Sequence, residues 1–197
     1  MARISPAPKQ MLTELKDEFS RAEKALGFVP NSFLLMGRVP AILKAFSRLA
    51  REVIGVHGKV PMELKRMVAH IASRSAGCQY CMAHTAESAT NVDGVSAEKI
   101  EMIYQFERNK LFSEAERAAL SLAQSAGQVP NMVTDADMDR LKLHFSEDQI
   151  VEIIAVISLF GWLNRFNDTM ATDLEQRPMD FGQKHLSQSG WSPEKHI

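Results

Sequence analysis

Apolar side chains recur along the chain at three- and four-residue intervals, and no stretch alternates convincingly at a spacing of two. From about Pro8 to Leu26, Met11, Leu12, Leu15, Phe19 and Ala22 share one helical face, and Gly27 closes the segment. In GFVPNS, Val29 precedes Pro30 and is pushed out of the α region, which predicts a turn. Pro40 stands at a first helical position, and Ile42, Leu43, Phe46, Leu49, Val53 and Ile54 continue a stripe to about His57. A further helix runs from Pro61 through Leu64, Met67, Val68 and Ile71 to Gly77, and CQYCMAHTAESA follows as a helix of its own or a bent continuation.

The second half is marked by caps. Ser96 opens SAEKIEMIYQF, and Ser113 with Glu116, Thr134 with Asp137 and Ser146 with Gln149 have the reciprocal spacing of capping boxes. The segment from Ile150 to Leu163 is apolar almost all round, which predicts a core helix. After Gln176 periodicity fades, so residues 1–175 read as one helical domain and 176–197 as a C-terminal tail, draped over a neighbour or disordered. An offset of 84 residues superposes Gly77 on Gly161, Glu63 on Glu147, His84 on Asp168 and Thr85 on Thr169, the trace that two related helical-hairpin halves would leave. The predicted fold class is all-α.

Charge and composition exclude several functions. Twenty-three Lys and Arg face twenty-four Asp and Glu, without the basic excess expected of a nucleic-acid binder. The longest apolar run, Ile150 to Leu163, is short for a membrane span and contains Glu152. The N-terminus lacks the apolar segment of a signal peptide, which predicts a soluble, cytoplasmic protein.

Both cysteines, Cys78 and Cys81, fall within four residues. A disulfide across so short a loop would constrain the unfolded chain by only roughly 2 kcal/mol. The pair is therefore better explained by chemistry than by stability. Gly77 should break the preceding helix and leave Cys78 at the start of the next, where peptide dipoles favour a thiolate. Cys78, Cys81 and His84 are spaced three apart along one face, so the sulfurs can close a disulfide while His84 exchanges a proton at Cys81. Glu87 stands one turn further, placed to orient His84. A haem attachment would need His where Met82 stands, and a zinc site lacks a fourth ligand, so no metal is expected. Two inert buried cysteines remain the alternative reading.

GCQYCMAHTAES within the run from Lys59 to Ala89, with GFVPNSFLLMGRVPAILKAF and LFGWLNRFNDTMA flanking it, resembles the alkylhydroperoxidase D-like (AhpD-like) branch of the carboxymuconolactone decarboxylase superfamily. The resemblance implies an AhpD-like helical bundle assembled as trimers or hexamers. It also implies a thiol peroxidase or disulfide reductase with no tightly bound cofactor. An external dithiol of lipoyl, peroxiredoxin or thioredoxin type would reset such a site, in the form of a redox partner protein. Cys81 would attack peroxide, Cys78 would resolve, and His84 would belong to a proton relay. The usual relay His position, four residues after the second cysteine, is Thr85 here, and the usual relay Glu position is Arg66. Glu63 lies one turn back as a substitute, or Arg66 stabilises a thiolate by charge. Lactone decarboxylases of the superfamily generally lack the cysteine pair, which leaves a lyase, or a non-enzymatic helical binding module, as the alternatives.

Three further candidates belong near such a site. His70 lies on the preceding helix, either facing the pocket or as a satisfied core residue. Tyr80 stands between the cysteines, placed to donate to substrate or to pack at a subunit contact. The polar cluster Asn164, Arg165, Asn167 and Asp168 interrupts an apolar helix, with Asn164 and Asp168 on one face, to complete the site or to tie the helix to the fold.

Overall fold

Side-chain caps and prolines begin the helices close to where the spacing predicts them. The computed structural model describes residues 1–55 and 58–197, and every regular element among them is helical. In chain order these are α1 (Lys9–Leu12), α2 (Lys16–Leu26), α3 (Asn31–Met36), α4 (Pro40–Val53), α5 (Met62–Ser75), α6 (Gln79–Asn91), α7 (Ala97–Glu101), α8 (Glu114–Ala126), α9 (Asp135–Lys142), α10 (Glu147–Met170) and α11 (Gln176–His185). Ser113, Thr134 and Ser146 each close the expected reciprocal box, and Ser96 accepts the Lys99 amide. The stripe after Pro40 ends at Val53, and its expected end at His57 lies outside the described residues.

The helix most enclosed is α5, whose residues from Leu64 to Ser73 are all buried between α6, α8 and α10. Lys65 is drawn in with them, its ammonium paired with Glu152 at 3.1 Å and donating to the Val53 carbonyl at 3.0 Å. As expected, α10 lies in the core, though along one side only. Ile153, Val156, Ile157 and Phe160 face inward, whereas Val151, Ile154 and Trp162 are exposed. Its apolar girdle is wider than the sector that its neighbours in one chain can cover. Among the described residues α10 is also the one helix long and apolar enough to cross a membrane, and its packing against α4, α5, α6, α8 and α9 accounts for that character inside a fold.

The N-terminal helices form a second layer. Leu15, Met36, Leu43 and Phe46 cluster on Leu159 of α10, so that α2 and α4 stand opposite α6 across a gap. Two expectations change. Gly161 sits inside an unbroken α10 whereas Gly77 turns at φ +74°, so the 84-residue offset relates no second hairpin. Residues 176–185, aperiodic in sequence, form α11 and pack on α6. The last residues then return as a strap. Trp191 lies so close to Gly182 that a Cβ there would come within 2.6 Å of the indole, and its Nε1 donates to the Gln79 carbonyl at 3.1 Å. Tertiary contact of that kind, made by the buried face of Pro178, Phe181 and Gly182, stabilises a ten-residue helix too short to persist alone.

Candidate active site

The turn at Gly77 builds the site. Its left-handed φ, which side chains rarely adopt, ends α5 and lets Cys78 become the N-cap of α6. There the Cys78 Sγ accepts the Cys81 amide at 3.4 Å. One turn on, Cys81 receives the Asn167 side-chain amide on its sulfur at 3.6 Å, and Asn167 is held by the Thr172 hydroxyl at 3.0 Å. Both cysteines are buried and free. Burial pushes the Cys81 thiol well above its ordinary range and the neighbouring Cys78 adds to this, while the Asn167 amide acts in the opposite sense.

The two sulfurs have different surroundings. Cys81 lines a cavity of about 430 Å³ between α2, α3 and α4 on one side and α6 and α10 on the other. Tyr80, His84, Thr85 and Asn167 are polar residues lining it near Cys81, charged side chains such as Arg21, Arg51 and Arg66 line it elsewhere, and Phe33, Phe46, Phe160 and Leu163 help make its walls largely apolar. Cys78 lies behind, beside the C-terminal strap.

His84 is fixed by a residue far away in sequence. Its Nε2 meets Glu175 Oε2 at 2.5 Å, its ring stacks on Tyr80 with centroids 4.3 Å apart, and Phe28 tilts against it. Glu175 also accepts the Tyr80 hydroxyl at 3.0 Å and the Asn31 amide. Burial alone would raise the Glu175 carboxyl, but His84 and the backbone amides of Asn31 and Glu175 outweigh it and hold the group below the usual carboxylate range. Burial and the Glu175 charge push the Tyr80 phenol up.

Of the residues singled out in the sequence, Cys81, Tyr80, His84 and Arg66 come to the cavity together. Arg66 is not free to serve a thiolate, since Asp93 engages its Nε at 2.7 Å. Glu63 is exposed at the first turn of α5, just before the buried stretch from Leu64 to Ser73. Glu87 does not orient His84; it is paired with Arg177 and Asn91. His70 is enclosed in the core, bonded through Nδ1 to the Thr85 hydroxyl at 3.0 Å and through Nε2 to the Tyr104 hydroxyl at 2.8 Å. Burial lowers it to about 4 and keeps it neutral. Asn164 and Asp168 face a different, more polar cavity of about 380 Å³ on the far side of α10.

In the cluster on α10 it is Asn167, not Asn164, that reaches the sulfur, a choice of helical face that spacing alone leaves open. Glu175 has no local signature, standing 91 residues from His84 at the N-cap of a helix with little periodicity. His196 was missed too. Its donor nitrogen, the Asp168 carboxylate and Cys78 Sγ lie within 4.8 Å of one another. The Lys195 ammonium already neutralises Asp168 at 2.8 Å, so the group is poorly charged to hold a cation.

Residues 40–125 match the carboxymuconolactone decarboxylase family. The chain is also similar over nearly its full length to the debrominase Bmp8, at 32% identity and a TM-score of 0.85, covering 92% of this chain and 97% of that one. The chain belongs to the carboxymuconolactone decarboxylase family. Within it, a cysteine-to-alanine variant of the same debrominase in complex with 2,3,4-tribromopyrrole superposes with a TM-score of 0.87 at 31% identity, covering 93% of this chain and 99% of that one. A peroxidase-related protein from Ralstonia eutropha with the AhpD core, 20% identical with a TM-score of 0.77 over 88% of this chain and 93% of that one, shares the fold. The uncharacterized protein YnjA of Escherichia coli is 28% identical over 134 residues, 68% of this chain and 73% of its own.

Proposed function

We propose that this member of the family is a dithiol-dependent reductase of a small, apolar, electrophilic substrate, a halogenated aromatic ring in first place. The observation that carries the proposal is the placement of Cys81 in an apolar cavity of about 430 Å³ with Cys78 one turn behind it, outside the substrate space. That volume suits a single substituted ring. Similarity to a debrominase supports the substrate class.

In the proposed reaction the Cys81 thiol passes its proton to His84 as its sulfur attacks the halogen. The carbon–halogen electron pair stays on carbon, which takes a proton from His84, and a sulfur–halogen bond forms on Cys81. Cys78 then attacks the Cys81 sulfur, halide leaves, and a Cys78–Cys81 disulfide remains. Per turnover the aryl halide and two thiols yield arene, halide, one proton and the disulfide. An external dithiol protein or small dithiol then restores the pair by exchange. Glu175 orients His84, and Asn167 donates to the sulfur as charge develops there.

A hydroperoxide is the second reading, favoured by the same His84–Glu175 pair, which would protonate the leaving alkoxide while Cys81 becomes a sulfenic acid. Exposed apolar side chains on α4 and α10, among them Ile42, Leu49, Val151 and Ile154, agree with a homo-oligomer. The test is stoichiometric. Reduced protein freed of reductant is mixed with 2,3,4-tribromopyrrole or, separately, cumene hydroperoxide, and thiols and bromide are counted. Loss of two thiols per bromide released supports dehalogenation, with Cys81→Ser inactive. Thiol loss with the peroxide alone selects the second reading. Turnover that survives thiol blocking would establish lyase chemistry instead.

A further inference from the structure

The strap formed by residues 190–197 ends with a histidine that the reaction above leaves unused. His196 is fully buried although it is the penultimate residue. Its backbone is tied at both ends of the peptide unit, the amide donating to the Pro193 carbonyl at 3.0 Å and the carbonyl accepting from the Leu174 amide at 2.9 Å. Its Nδ1 lies 2.8 Å from the Thr172 carbonyl, which can only accept, so Nδ1 carries the hydrogen. The lone pair is therefore on Nε2. That nitrogen is buried without a hydrogen-bond partner and 3.8 Å from the Asp168 carboxylate, and a ring nitrogen of His196, the Asp168 carboxylate and Cys78 Sγ all lie within 4.8 Å of one another. A buried imidazole with a fixed tautomer and an unused lone pair is costly for stability alone.

We infer that His196 is the proton acceptor for Cys78, taking the thiol proton when Cys78 attacks Cys81 to close the disulfide. The inference rests on the reading of Cys78 as the resolving sulfur. In that step the Cys78 S–H bond breaks, its proton passes to His196 Nε2, the new S–S bond forms, and the group on Cys81 leaves with the electron pair. Asp168 steadies the imidazolium, and the proton leaves for solvent along the half-exposed Asp168–Lys195 edge. The two sulfurs thus have separate proton partners, His84 with Glu175 on the substrate side and His196 with Asp168 on the strap side.

The groups facing His196 are Asp168 from α10, Cys78 and Tyr80 from α6, and Glu194 and Lys195 on the strap itself. Burial, the largest influence, holds His196 below its usual value; the Thr172 carbonyl and the carboxylates oppose it, and Lys195 assists it. The imidazole is therefore neutral and able to accept a proton at pH 7.

The experiment uses 4,4′-dithiodipyridine, a small neutral aromatic disulfide, with the reduced full-length protein. Attack by Cys81 releases one thiopyridone, and closure by Cys78 releases a second, both read at 324 nm. In the unmodified protein the second release should rise with pH through a midpoint below about 6.5 and stay level to pH 8. Unassisted thiol ionisation would instead raise it about tenfold per unit toward pH 8.5, and that profile would overturn the inference without needing any variant. His196→Asn keeps a donor for the Thr172 carbonyl but removes the base. It should slow the second release about 10²-fold relative to the first at pH 7 and restore the climbing profile. A change of less than threefold in a folded variant would overturn the assignment, as would tight 1:1 zinc binding that His196→Asn abolishes. If the unmodified protein releases only one equivalent, it is the reading of Cys78 as resolving sulfur that fails, and the two failures are thereby distinct.

Discussion

Replacing Glu175 by Gln tests the arrangement around His84 most directly. The carboxylate accepts from three groups, the His84 imidazole, the Tyr80 hydroxyl and the Asn31 amide, and its side chain is only 13% exposed. A glutamine of the same shape keeps one acceptor oxygen and presents an amide donor to donors. Hydrogen bonds to a charged group contribute about 1.5–3 kcal/mol each. Losing about two of them, offset by the cheaper burial of a neutral amide, should destabilise the protein by about 2–4 kcal/mol. For a chain of this size that corresponds to a fall in Tm of roughly 5–12 °C. The sign of the pH dependence is determined as well. Because the folded-state Glu175 pKa lies below the unfolded value, the carboxylate stabilises the fold above about pH 4.3 and loses that contribution as pH falls through the folded value. Urea unfolding followed by circular dichroism at pH 7 should show the full gap between the two proteins, and the gap should narrow below about pH 4. A difference under about 1 kcal/mol at pH 7, or one that does not shrink in acid, would refute the reasoning.

Two further predictions concern the sulfur and the cavity edge. In Cys78→Ser the remaining Cys81 thiol should still titrate above the ordinary thiol range near 8.5, because burial is the main cause, and a thiolate absorbance midpoint below 7 would contradict this. Asp93→Ala should destabilise by about 3 kcal/mol by leaving the buried Arg66 guanidinium unpaired at the cavity rim, measured by denaturant midpoint, whereas Arg66→Met with Asp93→Ala together should recover much of the loss.

The cysteine pair shows how far local pattern reached. Gly77 before Cys78 implied the helix start, and the cap geometry follows from that one residue's freedom at positive φ. The thiolate expected from the dipole did not extend to Cys81, because periodicity says which face a residue shares but not how dry that face becomes. His84 was legible as a candidate residue, yet its partner Glu175 was not, and the nearer Glu87 turned to Arg177 instead. Asn167 carried the polar signal of its cluster, but only the rotation of α10 about its axis decides whether it or Asn164 meets the sulfur.

From composition, spacing and caps alone came an all-helical chain, the starts of α8, α9 and α10, and a pair of cysteines at a helix start. These are local properties, set within one or two turns by backbone sterics, capping hydrogen bonds and the 3.6-residue period. Tertiary structure decided which sulfur faces the cavity, which carboxylate meets His84, and that the strap of residues 190–197 lies beside Cys78. Those relations join residues 86 to more than 100 positions apart, and they depend on how whole helices pack and rotate against one another. No short stretch of sequence encodes that, because packing is settled by the summed burial of many side chains and not by any one interval.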